Sequence, residues 1–276
     1  MRIVPKIAAD IPTVPESIIP YLHDRVEFHL NGYTAVEFGN MRTIIQEHAL
    51  KDVVIHAPFG RHDLDVVCLS QKLYEEASVC ASIFSDWAAE FGIRITLLFH
   101  ASMSVEALKQ LPVVERFNKL IQETSINYLL ENSFADPSTG IRRLKEDPIL
   151  YILERVPEER VSMCFDLCHH MASSYILHEE YKFQEEWAKH ITQIHFSDTK
   201  NYEGYIHFPT THGRVHDNVW EVARDLCQMG SYGIDLGKAH IVVEVSEVDY
   251  RTRSDQAREL SYLHRLNDAG GIVFKE

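Results

Sequence analysis

Short apolar runs rich in β-branched residues alternate along the chain with amphipathic segments of helical period. The apolar runs predict eight strands, at residues 3–8, 34–38, 52–57, 94–100, 126–132, 161–167, 191–197 and 240–246. Between most of them, apolar residues recur every three to four positions, as Leu73, Ala77 and Cys80 do within a helix predicted over 68–91. A strand and the segment after it occupy about 30 residues, the length of a parallel strand with its crossover helix.

The number of strands and their apolar character together predict the fold. Strands that are apolar along most of their length are typical of a parallel sheet buried on both faces. Eight strands close a (β/α)8 barrel, and 276 residues is an ordinary length for one. A doubly wound open sheet of the dinucleotide-binding kind would require a G-x-G-x-x-G turn, and the sequence contains none. We therefore expect an α/β fold with a single TIM-barrel domain over residues 1–276.

Composition and charge narrow the class of protein. Hydrophobic residues make up 45% of the chain and charged residues 25%, as in a globular protein with a large core. No apolar run reaches the roughly 18 residues of a membrane span, and the N-terminus lacks the apolar segment of a secretory signal. The five cysteines are scattered along the chain. We therefore expect a cytoplasmic protein with reduced thiols and no membrane partner; a homo-oligomer is compatible with the sequence.

The net charge of −14 bears on the substrate. Proteins that bind a nucleic-acid backbone usually present a basic face, because the release of counterions supplies much of the affinity. The acidic balance therefore argues against a nucleic-acid partner, although a local basic rim would still permit one. A small molecule is the expected substrate.

Acidic residues and histidines lie at the ends of six consecutive predicted strands. They are His56, His100, Glu131, Asp166, His195 and Glu244, with His169 three residues beyond Asp166. In a TIM barrel the carboxyl ends of the strands meet at one face, so these side chains should converge. Burying so many ionisable groups without compensation would be costly, whereas carboxylates and neutral imidazoles are good ligands for first-row metals. The sequence therefore predicts a divalent-metal centre.

The segments that carry these residues also resemble a known family. They are, in order, VVIHAPFG, LLFHAS, LLENS, CFDLCHH, IHFSDTK and VVEVS. Together they resemble the xylose isomerase-like barrel superfamily, whose members include endonuclease IV and the sugar and sugar-phosphate isomerases and epimerases. The stretch HFPTTHGRV is similar to the H-x-P-x-G-x-G stretch of the isomerase-like members, with His207 and Gly213 in register and Thr211 replacing the first glycine.

The resemblance implies between one and three divalent ions, Zn or Mn, with Mg as a further option. In the endonuclease IV arrangement, one ion would take His56, His100 and Glu131, and a second would take Glu131, Asp166, His195 and Glu244. A third would take His169, His207 and an aspartate two residues before that histidine, where this sequence has Tyr205. In the epimerase arrangement, a single ion would take Glu131, Asp166, His195 and Glu244, with His169 facing the substrate.

Two functions fit these residues, and isomerisation or epimerisation of a small sugar, sugar phosphate or polyol is the first. Glu131 and Glu244 would then move a proton to and from the carbon next to a carbonyl. The alternative is a phosphoesterase of the endonuclease IV type, which the presence of both His56 and His100 favours because it implies more than one metal ion.

Three further residues are candidates for substrate contacts. Glu37, at the end of the second predicted strand, could hold a substrate hydroxyl or, equally, form a rim ion pair with an arginine. Lys200 and Arg214 could hold a phosphate or carboxylate of the substrate. Alternatively, each is a solvated cation on a loop. Arg214 lies in the longest break in the pattern, residues 201–218, and a long loop after a barrel strand often carries substrate contacts.

Overall fold

The structure is a computed structural model that describes most of the chain. The described residues are 2–58, 62–101, 103–133, 147–170, 183, 185–200, 205–208, 229–244 and 253–268.

Eight parallel strands form a closed barrel, which confirms the predicted fold. The barrel strands are β1 (Arg2–Ala8), β2 (Arg25–His29), β3 (Asp52–His56), β4 (Arg94–Ala101), β5 (Asn127–Asn132), β6 (Val161–Asp166), β7 (Ile191–Phe196) and β10 (His240–Val243). Two short strands, β8 (Asp198–Lys200) and β9 (Tyr205–Phe208), pair antiparallel outside the barrel. The order around the barrel is β1, β10, β7, β6, β5, β4, β3, β2, so β1 pairs with both β2 and β10.

Helices follow the strands and pack on the outside of the barrel. They are α1 (Ala35–Glu47), α2 (Leu64–Leu69), α3 (Gln71–Phe91), α4 (Val105–Gln110), α5 (Val113–Glu123), α6 (Pro148–Leu153) and α7 (Ser254–Asp268). Single 3-10 turns lie at Ile19–Tyr21 and Glu185–Trp187. Among the described residues, no helix has both the length and the apolar character to cross a membrane.

The helix predicted over 68–91 is divided in two at Ser70. The Ser70 side chain accepts a hydrogen bond from the backbone N–H of Leu73 and caps α3. At the other end, Gly92 adopts a left-handed conformation with φ of 62°, a common way to end a helix. Phe84 and Trp87 from α3 lie in the large apolar core between helices and barrel.

The strand predicted at 34–38 is wrong, because these residues begin a helix. Thr34 is the N-cap of α1, and its hydroxyl and the Glu37 carboxylate form a reciprocal capping box. The second strand of the barrel is β2, at Arg25–His29. It was not predicted because charged residues alternate with Val26 and Phe28 along it. Val26 and Phe28 pack in the outer core, and the charged side chains face the barrel interior. The other seven predicted strands are confirmed.

The interior of the barrel is divided into an apolar side and a polar side. On β3 to β6, Val54, Leu98, Leu129 and Cys164 form a small buried cluster separate from the outer core. On β1, β2 and β7, the interior carries the buried residues Lys6, Arg25, Glu27 and Gln193, which we call the polar column. The polar column connects the two ends of the barrel, since Gln193 accepts from Arg25 and donates to Glu27.

Candidate metal centre

Glu131 on β5 is the centre of the predicted site. Its side chain is fully buried, and four imidazole nitrogens lie 3.2 to 3.4 Å from its carboxylate oxygens. They belong to His56, His100, His169 and His195. Neither oxygen of Glu131 has a hydrogen-bond partner within the described ranges. Two ligand atoms at about 2.0–2.1 Å from a tetrahedral zinc lie ~3.3–3.4 Å apart, so the spacing suits atoms that share an ion.

The orientation of His195 is set by Glu27 on β2. Nε2 of His195 lies 2.9 Å from Oε2 of Glu27, so Nε2–H donates to that carboxylate and Nδ1 is the nitrogen that faces the site. Nδ1 lies 2.5 Å from Oε2 of Glu244 and 3.8 Å from Oδ2 of Asp166. Although burial opposes it, the neighbouring Cys164, Glu131 and Glu27 raise the pKa of His195 well above its usual value, so a bound cation would replace the proton on Nδ1. A carboxylate behind a metal-binding histidine fixes the orientation of the ring. Glu27 therefore turns Nδ1 of His195 towards the centre of the site.

Backbone carbonyls fix two further histidines. Nδ1 of His56 lies 2.8 Å from the carbonyl oxygen of Ala57, and Nδ1 of His169 lies 2.8 Å from that of Asn132. A carbonyl can only accept, so in both rings Nδ1 carries the hydrogen and Nε2 is the nitrogen with a metal-binding lone pair. In His56 that nitrogen faces Glu131. In His169 the nitrogen near Glu131 is the donor Nδ1, which lies 3.4 Å from Oε1.

Asp166 is held at the end of β6 by its neighbours. Its Oδ1 accepts from the backbone N–H of His169 at 2.6 Å, and its own backbone pairs in both directions with the Asn132 amide. Burial raises the pKa of Asp166 to about 6, an effect that His169 opposes and that Glu131 and Glu244 reinforce. Carboxylates this close repel one another unless a cation lies among them, so the donor set suits a divalent ion.

The ligand atoms fall into two groups that share Glu131. His56, His100 and Glu131 form the first, and Glu131, Asp166, His195 and Glu244 form the second; within each group the ligand atoms lie within 4.8 Å of one another. Two other combinations bring in Glu27 and Cys164. Glu27 is already paired with His195 and Lys6, and burial raises the pKa of the Cys164 thiol to about 12, so both are weaker candidates.

Lys6 and Glu27 are charged residues beside the site that the sequence pattern did not predict. Nζ of Lys6 lies 2.9 Å from Oε1 of Glu27 and 2.6 Å from Oε1 of Glu244. Burial raises the pKa of Glu27, but His195 and Lys6 outweigh burial and hold it at about 2. A charged residue inside an apolar strand was the available signal: Lys6 interrupts IVPKIA, and Glu27 alternates with Val26 and Phe28.

Glu37 does not lie at the end of a strand as predicted. Its carboxylate accepts from the backbone N–H groups of Asn31, Gly32 and Thr34 and from the Thr34 hydroxyl. It therefore holds the loop that leads into α1. The side chains of Lys200 and His207 and the whole of Arg214 lie outside the described residues, and their predicted roles stay predictions.

Comparison with known proteins agrees with the observed fold. The family model described as "Xylose isomerase-like TIM barrel" matches residues 22–250. A protein of Metamycoplasma arthritidis named "Probable endonuclease 4" is 26% identical over 214 residues, which cover 69% of this chain and 72% of that protein.

Two solved structures share the fold over nearly their whole length. A xylose isomerase domain protein from Planctomyces limnophilus has a TM-score of 0.62 at 15% identity, covering 99% of this chain and 98% of that one. The TTHB071 protein from Thermus thermophilus, described as soaked with ZnCl2, has a TM-score of 0.59 at 19% identity, covering 98% and 99%.

The closed parallel barrel brings carboxylates and imidazoles together at the carboxyl ends of its strands, which is where TIM-barrel enzymes carry their active sites, and so forms a candidate metal centre. Among TIM-barrel proteins, the chain belongs to the xylose isomerase-like family. Proteins similar to it in sequence or fold carry the names "Probable endonuclease 4" and sugar phosphate isomerase/epimerase.

Proposed function

We propose that the protein is a divalent-metal-dependent phosphoesterase of the endonuclease IV type. The observation that carries this proposal is the position of Glu131, which joins two groups of ligand atoms instead of belonging to one. A one-metal isomerase would need only Glu131, Asp166, His195 and Glu244. The convergence of His56 and His100 on the same carboxylate supplies ligands for a second ion.

The ligand set fits hydrolysis of a phosphate ester. Divalent cations held by these residues would lower the pKa of a water molecule and stabilise charge on a phosphate. The protein supplies the arrangement of the ligands. Glu131 would contribute to both ions, Glu27 and the Ala57 carbonyl orient the rings of His195 and His56, and burial keeps bulk water away from the Glu131 carboxylate.

Asp166 and His169 lie beside each other at the centre. Asp166 belongs to the second ligand group, so a bound ion would hold its carboxylate ionised. The Nδ1–H of His169 donates to the backbone carbonyl of Asn132 and fixes the ring. We assign His169 to orienting the substrate or holding a further ion.

Isomerisation or epimerisation of a small sugar or sugar phosphate is the second candidate function. The net charge of −14 favours it, because a strongly acidic chain repels a polyanionic substrate such as DNA. In that case Glu131 and Glu244 would face a single ion and move a proton at the carbon next to a carbonyl.

Metal content and a paired assay separate the two functions. We expect two or three zinc ions per chain, measured by mass spectrometry of metals in protein purified without chelator, together with cleavage of a duplex carrying one abasic site at low salt. One manganese or magnesium per chain, with epimerisation of a sugar followed by NMR and an intact duplex, would favour the second candidate.

The bridging role of Glu131 is tested by Glu131→Gln, which keeps the shape of the side chain. We expect loss of both metal retention and turnover, because an amide cannot bridge two cations. Glu123→Gln is a matched control on an exposed helix end, where the side chain pairs with Lys119. Wild-type metal occupancy in Glu131→Gln would contradict the bridging role.

A further inference from the structure

A cavity lies at the opposite end of the barrel from the metal centre. It has a volume of about 610 Å³ and lies among the N-terminal ends of β1 to β4 and β10 and the end of α7. Its charged lining residues are Arg2, Arg25, Lys51 and Arg94 against Asp24 and Asp52. Four cationic groups therefore face two carboxylates, in a chain whose 41 acidic residues outnumber its 27 lysines and arginines.

The carboxylates in this cavity do not balance all of its positive charge. Asp52 is shared by two guanidinium groups: Nη1 of Arg25 lies 2.6 Å from its Oδ2, and Arg94 contacts the same oxygen. One carboxylate can balance only one of these charges. Arg2 and Lys51 add two exposed cations at the rim.

Two buried polar atoms on the cavity wall have no partner among the described residues. They are Nε of Arg25 and Nδ1 of His240, whose residues are each only 8% exposed. The pKa of His240 is lowered to about 4, mainly by burial and then by the positive charge of Arg25, while Asp52 opposes the shift. An anion in the cavity would accept hydrogen bonds from the guanidinium groups and balance their excess positive charge.

We propose that this cavity is a second ligand site, which binds a small molecule carrying a phosphate monoester. Its volume lies within the roughly 300–1,000 Å³ range of small-molecule sites. Arginine forks match the oxygens of a phosphate in a way that lysine does not. The imidazoles of His23 and His264, with ring centres 5.9 Å apart, line the same cavity and offer planar surfaces to the rest of the ligand. The site is independent of the reaction proposed for the metal centre.

Calorimetric titration of the metal-loaded protein tests the site. The probes are inorganic phosphate, glucose 6-phosphate and AMP, with glucose and adenosine as uncharged counterparts. We expect the phosphorylated probes to bind and the uncharged ones to give no heat. Tighter binding of AMP would assign a nucleotide to the site, and tighter binding of glucose 6-phosphate a sugar phosphate.

Variants locate the binding within the barrel. Arg94→Gln should weaken phosphate binding by roughly ten- to a hundredfold, the cost of one charged hydrogen-bonding group. Lys51→Gln should weaken it less. Arg42→Gln is the matched control, since Arg42 also forms a part-exposed ion pair, with Glu90, but outside the cavity. Because a phosphate could also bind at the metal centre, the same titration is run on Glu131→Gln, which should keep wild-type affinity.

The proposal is overturned if none of the phosphorylated probes binds. It is also overturned if Arg94→Gln, folded by circular dichroism, binds them as tightly as the wild type and as Arg42→Gln. Loss of binding in Glu131→Gln with retention in Arg94→Gln would place the anion at the metal centre and equally reject the second site.

Discussion

Nζ of Lys6 lies 2.6 Å from Oε1 of Glu244, an ion pair that joins the first strand of the barrel to the residue directly after the last one. The same ammonium group lies 2.9 Å from Glu27. One buried cation therefore stabilises a proposed metal ligand and the residue that orients His195.

Replacing Lys6 by methionine should destabilise the metal-free protein by about 3–5 kcal/mol, because it leaves two buried carboxylates without their cation. Urea denaturation of the metal-free protein measures the change. Added zinc should restore part of the lost stability, since it supplies positive charge to Glu244. Lys119→Met, at an exposed pair with Glu123, should change stability by less than about 0.5 kcal/mol. Equal stabilities of Lys6→Met and wild type would show that the ion pair does not stabilise the barrel.

Glu27→Gln should weaken zinc binding by about 10- to 100-fold, as expected when the carboxylate behind a metal-binding histidine is lost. Competition with a fluorescent chelator gives the affinity. Glu37→Gln is the control, because Glu37 is also a buried glutamate but its carboxylate accepts hydrogen bonds from the loop before α1 and not from a proposed metal ligand. Unchanged zinc affinity in Glu27→Gln would reject its role in orienting His195.

Glu37→Ala should cost about 1–2 kcal/mol of stability, because the loop before α1 and the helix N-terminus lose their acceptor. The Michaelis constant should stay at its wild-type value once a substrate is in hand. Urea denaturation measures the change in stability, and steady-state kinetics measures the Michaelis constant. A raised Michaelis constant at normal stability would instead support the substrate contact that the sequence predicted.

Acidification should destabilise the protein partly through His240. Its pKa lies at about 4, lowered from an ordinary 6.5 by burial and then by Arg25. Between these values the unfolded chain binds a proton that the folded chain does not, so the stabilisation is complete above about pH 6.5 and is lost as the pH falls towards 4. We expect a loss of about 1–2 kcal/mol between pH 7 and pH 5.

The measurement for His240 is urea denaturation of the metal-free protein at both pH values. His240→Asn should reduce the pH dependence, whereas His48→Asn, at the end of α1, should leave it as in the wild type. The same slope in wild type and His240→Asn would contradict the assignment.

The convergence of these side chains could be predicted from sequence because each one ends an apolar run. His56, Glu131 and His195 follow buried residues of their strands, and strand direction in a parallel barrel brings such ends together. The fold followed from the same runs. The single-domain organisation of residues 1–276 stays a prediction, as do cytoplasmic location and the identity of the metal.

The polar side of the barrel could not be predicted in the same way. A strand residue that faces the interior of a barrel is normally apolar. The alternation of charged and apolar residues in RVEFH is therefore typical of a solvent-exposed segment, and the more apolar TAVEF is predicted as the strand instead. What makes RVEFH a barrel strand is compensation from distant parts of the chain: Arg25 pairs with Asp52, and Glu27 pairs with Lys6 and His195. Only the T-x-x-E spacing of Thr34 and Glu37 gave a local warning that a helix begins there.

The division of the barrel interior has a consequence for how the polypeptide reaches its native state. Val54, Leu98, Leu129 and Cys164 come from neighbouring strands in the middle of the chain and can associate early. Lys6 and Glu244 meet only after the two ends of the sheet join, so a nascent chain must keep this charge hydrated until synthesis has passed the final strand. Closure of the barrel is therefore the folding step in which the protein buries these charges.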